Sequence, residues 1–226
     1  MTDKSKGDAR TVQLKKVRLS FSTLDEKKAT VEDGEPKHGF NVILEKDSPN
    51  YKENCRKVES ALGAAGLQAF KDEDRWKSIQ EDDPKRVCYR EGKRFKNKET
   101  NKVYAGYDGN MAISCGCPSR GQKRPPKMLD RYKKPVAVED IAEVFYNGAV
   151  VDFVLSFYGT DKGGQGFFNS CDGIRSWQEG DHMGGGVIVD AADFDDAEDE
   201  EDAFGGDASD KSESNDDDFE ISLEDD

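Results

Sequence analysis

The chain has 226 residues, of which 34% are hydrophobic and 36% charged, and its formal net charge is −14. No apolar run approaches the ~20 residues of a membrane span, and the N-terminus MTDKSKGDAR lacks the apolar stretch of a secretory signal. The charge is divided unevenly: residues 190–226 hold 19 acids and one base, Lys211, whereas residues 1–189 hold 33 bases and 29 acids. A polyanion of that kind cannot collapse into a core and commonly serves as an interaction tail. We therefore expect a flexible N-terminus over 1–10, one folded domain over 11–189 and a disordered acidic tail over 190–226.

Val12 to Phe21 predicts a strand with a phase slip. Val12 and Leu14 share one parity, Val17, Leu19 and Phe21 the other, and Lys15 and Lys16 sit where a bulge would re-aim the chain. Gly39 to Glu45 predicts a second strand. Ser48 and Pro49 then signal a helix start, and Cys55, Val58, Leu62, Leu67 and Phe70 follow at helical spacing. Gly63 and Gly66 should weaken that helix or break it in two.

Lys85 to Lys134 carries 15 Lys and Arg against four acids, with Tyr89, Phe95, Tyr104, Tyr107 and Tyr132 interleaved. Arg90 to Lys102 predicts a basic hairpin or loop. Val103 to Ser114 predicts two short strands around Asp108-Gly109, and Arg120 to Lys134 an irregular segment. A short helix is expected over Glu139 to Tyr146. Gly148 to Tyr158 is the clearest strand, with Val151, Phe153, Leu155 and Phe157 on one face and Asp152, Ser156 and Tyr158 on the other. A Gly-rich turn joins it to a partner strand over Phe167 to Trp177. Short strands, one inserted helix and basic loops predict a mainly β chain, and the five-stranded OB barrel is the member of that class that binds oligonucleotides. A sandwich would read much the same.

The chemistry points to binding. His38 and His182 have no nucleophile or carboxylate at a recognisable spacing, the glycine-rich segments lack a following Lys-Ser/Thr, and the five cysteines read better as reduced thiols than as a zinc site. No catalytic constellation, metal or cofactor is expected. A cationic groove tracks phosphates and aromatic faces stack on any base, and Lys85 to Lys134 supplies both. The expected contacts are Lys15, Lys16, Arg18, Arg90, Lys93, Arg94, Lys96, Tyr104, Tyr107, Arg120, Lys123, Arg124, Lys127, Tyr132 and Tyr158. The tethered tail would compete for the same groove and, once released, dock on basic partners. An acidic-tailed interaction module or DNA mimic acting on basic host proteins is the alternative; a metal-dependent nuclease and an RNA binder are weaker readings.

RPPKMLDRYKKPV (Arg124 to Val136), VFYNGAVVDFVLSFYGTDKGGQGFFNSCDGIRSWQEGD (Val144 to Asp181) and Gly184 to Gly186 resemble a bacteriophage single-stranded-DNA-binding protein family. The layout is also similar to the replication single-stranded-DNA-binding protein of T-odd podophages. The resemblance implies an OB fold that coats single-stranded DNA during phage replication, recombination and repair in the cytoplasm of the infected host. It implies a tail that contacts phage DNA polymerase and primase-helicase, with Phe219 and Asp216, Asp217 and Asp218 as the docking residues. The podophage tail ends on an aromatic ring, whereas here Glu220 to Asp226 follow Phe219. The oligomeric state is left open, a dimer included.

Overall fold

Leu14 and Val17 can face one core only if the strand gains a residue between them. In a computed structural model, which describes residues 8–26, 38–117 and 126–183, it does. Strand β1 (Thr11–Ser20) pairs antiparallel with β6 (Val150–Thr160), Leu14 opposite Phe153 and Val17 opposite Val151, so three steps on β1 match two on β6. Lys16 takes a positive φ of 50° in the bulge. The side chain of Asn54 clasps the backbone of Lys15, accepting from its N–H (3.1 Å) and donating to its carbonyl (2.9 Å). The slip brings Leu14, Val17 and Leu19 into the same buried cluster.

The remaining elements are β2 (His38–Leu44), α1 (Tyr51–Phe70), α2 (Arg75–Asp82), β3 (Tyr89–Glu91), β4 (Met111–Cys117), β5 (Lys127–Leu129), α3 (Ile141–Val144) and β7 (Gly166–Gln178). The sheet order is β3-β4-β2-β1-β6-β7-β5, and a parallel bridge from Gly116 to Ser170 joins β4 to β7. Strands β1, β2, β4, β7 and β6 thus form a ring, the five-stranded OB barrel expected, with β3 and β5 added at its edges. Phe40 and Phe153 stack inside it with centroids 4.8 Å apart. Val58, Ala61, Leu62 and Ala65 of α1 join the same core, the helix lying against β1 and β6.

Four local expectations need correction. Helix α1 is unbroken through both glycines, and at Gly66 a Cβ would lie 2.4 Å from the Asp72 carbonyl oxygen, so that glycine serves close packing. Leu67 is exposed and lies off the buried stripe of that helix. Val103 to Ser114 gives only one strand; Val103 itself makes an isolated bridge to Lys96. Lys127 to Leu129, expected to be irregular, pairs in parallel with Gly173 to Arg175 of β7. Among the described residues no helix is long and apolar enough to cross a membrane.

Candidate nucleic-acid interface

The outward side chains of β2 and β4, Ile43 and Ala112, are fully buried, because the segment between β3 and β4 folds back over them. Asn97 organises that excursion: its side chain accepts from the N–H groups of Glu99 and Thr100, both at 2.9 Å. Phe95, Val103 and Tyr104 fasten it against Ile43, Tyr107 and Ala112. Apolar residues therefore glue the excursion down while Lys93, Arg94, Lys96, Lys98 and Lys102 stay exposed.

Two expected contact residues do other work here. Tyr107 is fully buried, its ring 4.9 Å from Phe95 and its hydroxyl accepting from the Asn41 side chain at 2.9 Å. Burial pushes its hydroxyl pKa up, and no face of the ring is open to a base. Arg90 is turned inward: its guanidinium lies 4.5 Å from the Phe95 centroid and donates to the Ser114 hydroxyl at 2.8 Å. Desolvation lowers its pKa from the usual arginine value. These two residues belong to the packing of the excursion, which corrects the expectation for both.

Beside the excursion lies a cavity of about 470 Å³ lined by Ser20, Phe21, Tyr104, Ala105, Tyr107, Asn147 and Met183. Phe21, immediately after β1, has a φ of 49° and is 44% exposed. Tyr104 meets it edge-on with centroids 4.7 Å apart. Asn147 shapes the opposite wall, its side chain accepting from the Ser22 N–H at 2.7 Å and its carbonyl from the Met183 N–H at 2.8 Å. Among the described residues no cation lines the cleft itself; it offers aromatic surface, and the exposed cations are on the excursion that supplies Tyr104, so one segment carries both components that non-specific binding of a single strand requires.

The other expected contacts are scattered around the barrel. Lys15 and Lys16 project from the bulge of β1, and Lys16 Nζ sits 4.7 Å from the Trp177 ring centroid. Arg18 is ion-paired with Glu45 at 2.7 Å. Lys127 is exposed on β5, and Tyr132 is 67% exposed, with the Arg131 guanidinium 4.8 Å from its ring. Tyr158 is half-buried, 6.3 Å from Phe168. Arg120, Lys123, Arg124, Asp216, Asp217, Asp218 and Phe219 lie outside the described residues. Sequence reasoning missed Phe21, which alternation only set on the parity of Val17 and Leu19, and Trp177 with Arg175, which no periodicity distinguishes from a strand interior. Among the described residues no group of three His, Cys, Asp or Glu is placed to hold a metal ion.

A family model described as "Enterobacter phage Enc34, ssDNA-binding protein" matches residues 10–204. A curated relative, "Putative protein p50" of Acyrthosiphon pisum secondary endosymbiont phage 1, is 29% identical over 194 residues, covering 84% of this chain and 97% of that protein. The solved single-stranded DNA-binding protein from bacteriophage Enc34 in complex with ssDNA superposes with a TM-score of 0.61 at 17% identity, over 78% of this chain and 90% of that one. The same protein solved separately gives 0.59 at 17% identity, over 82% and 89%. At such identities the structural likeness speaks for the fold, and the fold agrees with the barrel derived above. The family match spans the barrel from the start of β1 to past the end of β7, and the chain belongs to the phage Enc34 single-stranded-DNA-binding protein family.

Proposed function

We propose that this protein binds single-stranded DNA without sequence preference and has no enzymatic activity, shielding exposed strands during phage DNA replication, recombination and repair in the host cytoplasm. The observation that carries this reading is the cleft with the rings of Phe21 and Tyr104 in its wall, Tyr104 being hydrogen-bonded through its N–H to the Phe95 carbonyl of the segment whose Lys93, Arg94 and Lys96 are exposed. Cations on the excursion displace counterions from the phosphates, and the rings take up bases as they leave the stack. Lys15, Lys16, Lys127, Tyr132 and Tyr158 extend the contact around the barrel.

The acidic tail regulates this binding and recruits phage DNA polymerase and primase-helicase. Met183 lines the cleft, and the acidic run begins seven residues later at Asp190, a span of at most ~25 Å when extended. Nineteen carboxylates tethered so near act at high local concentration against an incoming strand. Phe194, Phe204 and Phe219 interrupt the acid with apolar points suited to a basic-rimmed pocket on a partner.

Fluorescence anisotropy with a labelled oligodeoxythymidine tests the reading on the intact chain and on a form ending at Val189. Binding by both, tighter for the shorter form at low salt, is expected. A shorter form that binds no DNA overturns the proposal in favour of a protein-interaction module; equal affinities remove only the competition.

A further inference from the structure

We infer that the outer face of β1, β6 and β7 carries a second stacking site for the single strand, centred on Trp177 and separate from the Phe21–Tyr104 cleft. This rests on the single-strand-binding reading. Two irregularities converge there. In β7, Gln178 faces Val150 and Ser176 faces Val151, so Trp177 is the extra residue of a bulge, and bulges re-aim side chains. In β1, the bulge with left-handed Lys16 brings Nζ to 4.7 Å from the Trp177 centroid. Asp152 of β6, only 4% exposed, ties the two together: its carboxylate accepts from the Lys16 N–H at 2.8 Å and from the Arg175 guanidinium. Arg175 in turn lies 5.3 Å from the same indole centroid.

One buried carboxylate thus fixes the backbone of one cation and the head of another around an indole that is 36% exposed. An ordinary solvent-facing tryptophan needs no such support. Lys16 makes no salt bridge among the described residues, so its ammonium is available to a phosphate. An exposed cation–π contact is worth roughly two- to fivefold in a binding constant, a stacked base roughly five- to hundredfold. A base that displaces Lys16 from the ring therefore gains more than is lost, and the freed ammonium pairs with the backbone of the strand. Next to the indole cluster, a hollow of about 320 Å³ is lined by Lys127 and Lys133, by Val154 and Ile174, and by the Asp152 and Asp172 carboxylates, so it would take an adjoining base rather than a phosphate.

The chain has two tryptophans, and Trp76 is 7% exposed, so indole emission separates this site from the cleft. Titrating the full-length protein with unlabelled oligodeoxythymidine should quench the emission. Trp177→Phe should remove that quenching and keep most of the affinity, Trp177→Ala should weaken binding about tenfold, and Lys16→Gln should lower the salt slope by about one. Anisotropy of a labelled oligomer run in parallel keeps the two readings apart. Binding without quenching, or quenching that persists in Trp177→Phe, overturns the Trp177 site and leaves the proposed function standing. Absence of any anisotropy change overturns both.

Discussion

Tyr104 and Tyr107 stand three residues apart in one basic stretch, yet one opens onto a cleft and the other is sealed beneath it. Phe21→Ala should cost roughly 1–3 kcal/mol of single-strand affinity with little loss of stability, and Tyr104→Ala a similar amount of affinity together with part of the packing that fastens the excursion. Tyr107→Ala should instead lower the unfolding free energy by ~3–5 kcal/mol, as a fully buried ring does, which urea denaturation would read. The sequence shows that rings and bases alternate; it does not show which ring turns inward, because the excursion is irregular and has no period to count. Phe21 departs from the parity it shares with Val17 and Leu19 because the strand stops at Ser20 and the backbone turns left-handed at Phe21. Cys88 offers a pH test at the same scale. Burial pushes its thiol from 9.0 up to about 11. Between those values the unfolded chain releases the proton and the native chain keeps it, so stability falls as pH rises, by up to ~2–3 kcal/mol. Urea midpoints at pH 8 and pH 10.5 should show a decline that is smaller in Cys88→Ala.

Within α1, two glycines three residues apart predict opposite outcomes. A methyl group at Gly66 would meet the Asp72 carbonyl oxygen at 2.4 Å, whereas at Gly63 it would lie 3.6 Å from the Glu73 carbonyl oxygen, an ordinary contact. Replacing helical glycine by alanine gains ~0.8–1 kcal/mol of propensity. At Gly63 that gain stands alone and Gly63→Ala should raise the melting temperature. At Gly66 overpacking against backbone outweighs it, and Gly66→Ala should cost ~1–3 kcal/mol. Strand elements were mostly legible: the parity slip at Lys15 and Lys16 foretold the bulge, and the alternation from Val151 to Phe157 foretold the inner face of β6. β5 was not, since three residues paired in parallel with a distant strand leave no local signature.

Across the whole molecule, charge is partitioned between a barrel with a slight excess of bases and a strongly acidic terminus. If Lys16, Lys93, Arg94 and Lys96 each neutralise one phosphate, log K should fall against log salt with a slope of roughly −3, obtainable from anisotropy at several ionic strengths. A slope near zero would mean that the exposed cations do not meet the strand. The division of charge was plain in the composition; the closure of the barrel was not, because it joins segments far apart in the chain. That closure is slender. Beside the Gly116–Ser170 bridge, the Cys88 N–H donates to the Phe167 carbonyl and the Asn169 side chain to the Ser114 carbonyl, each at 2.9 Å. Parting along this line would turn the cylinder into a curled ribbon while every antiparallel pair survives. Deuterium should therefore enter at Cys88 through a local breathing motion, well before it reaches the amides shared by β1 and β6.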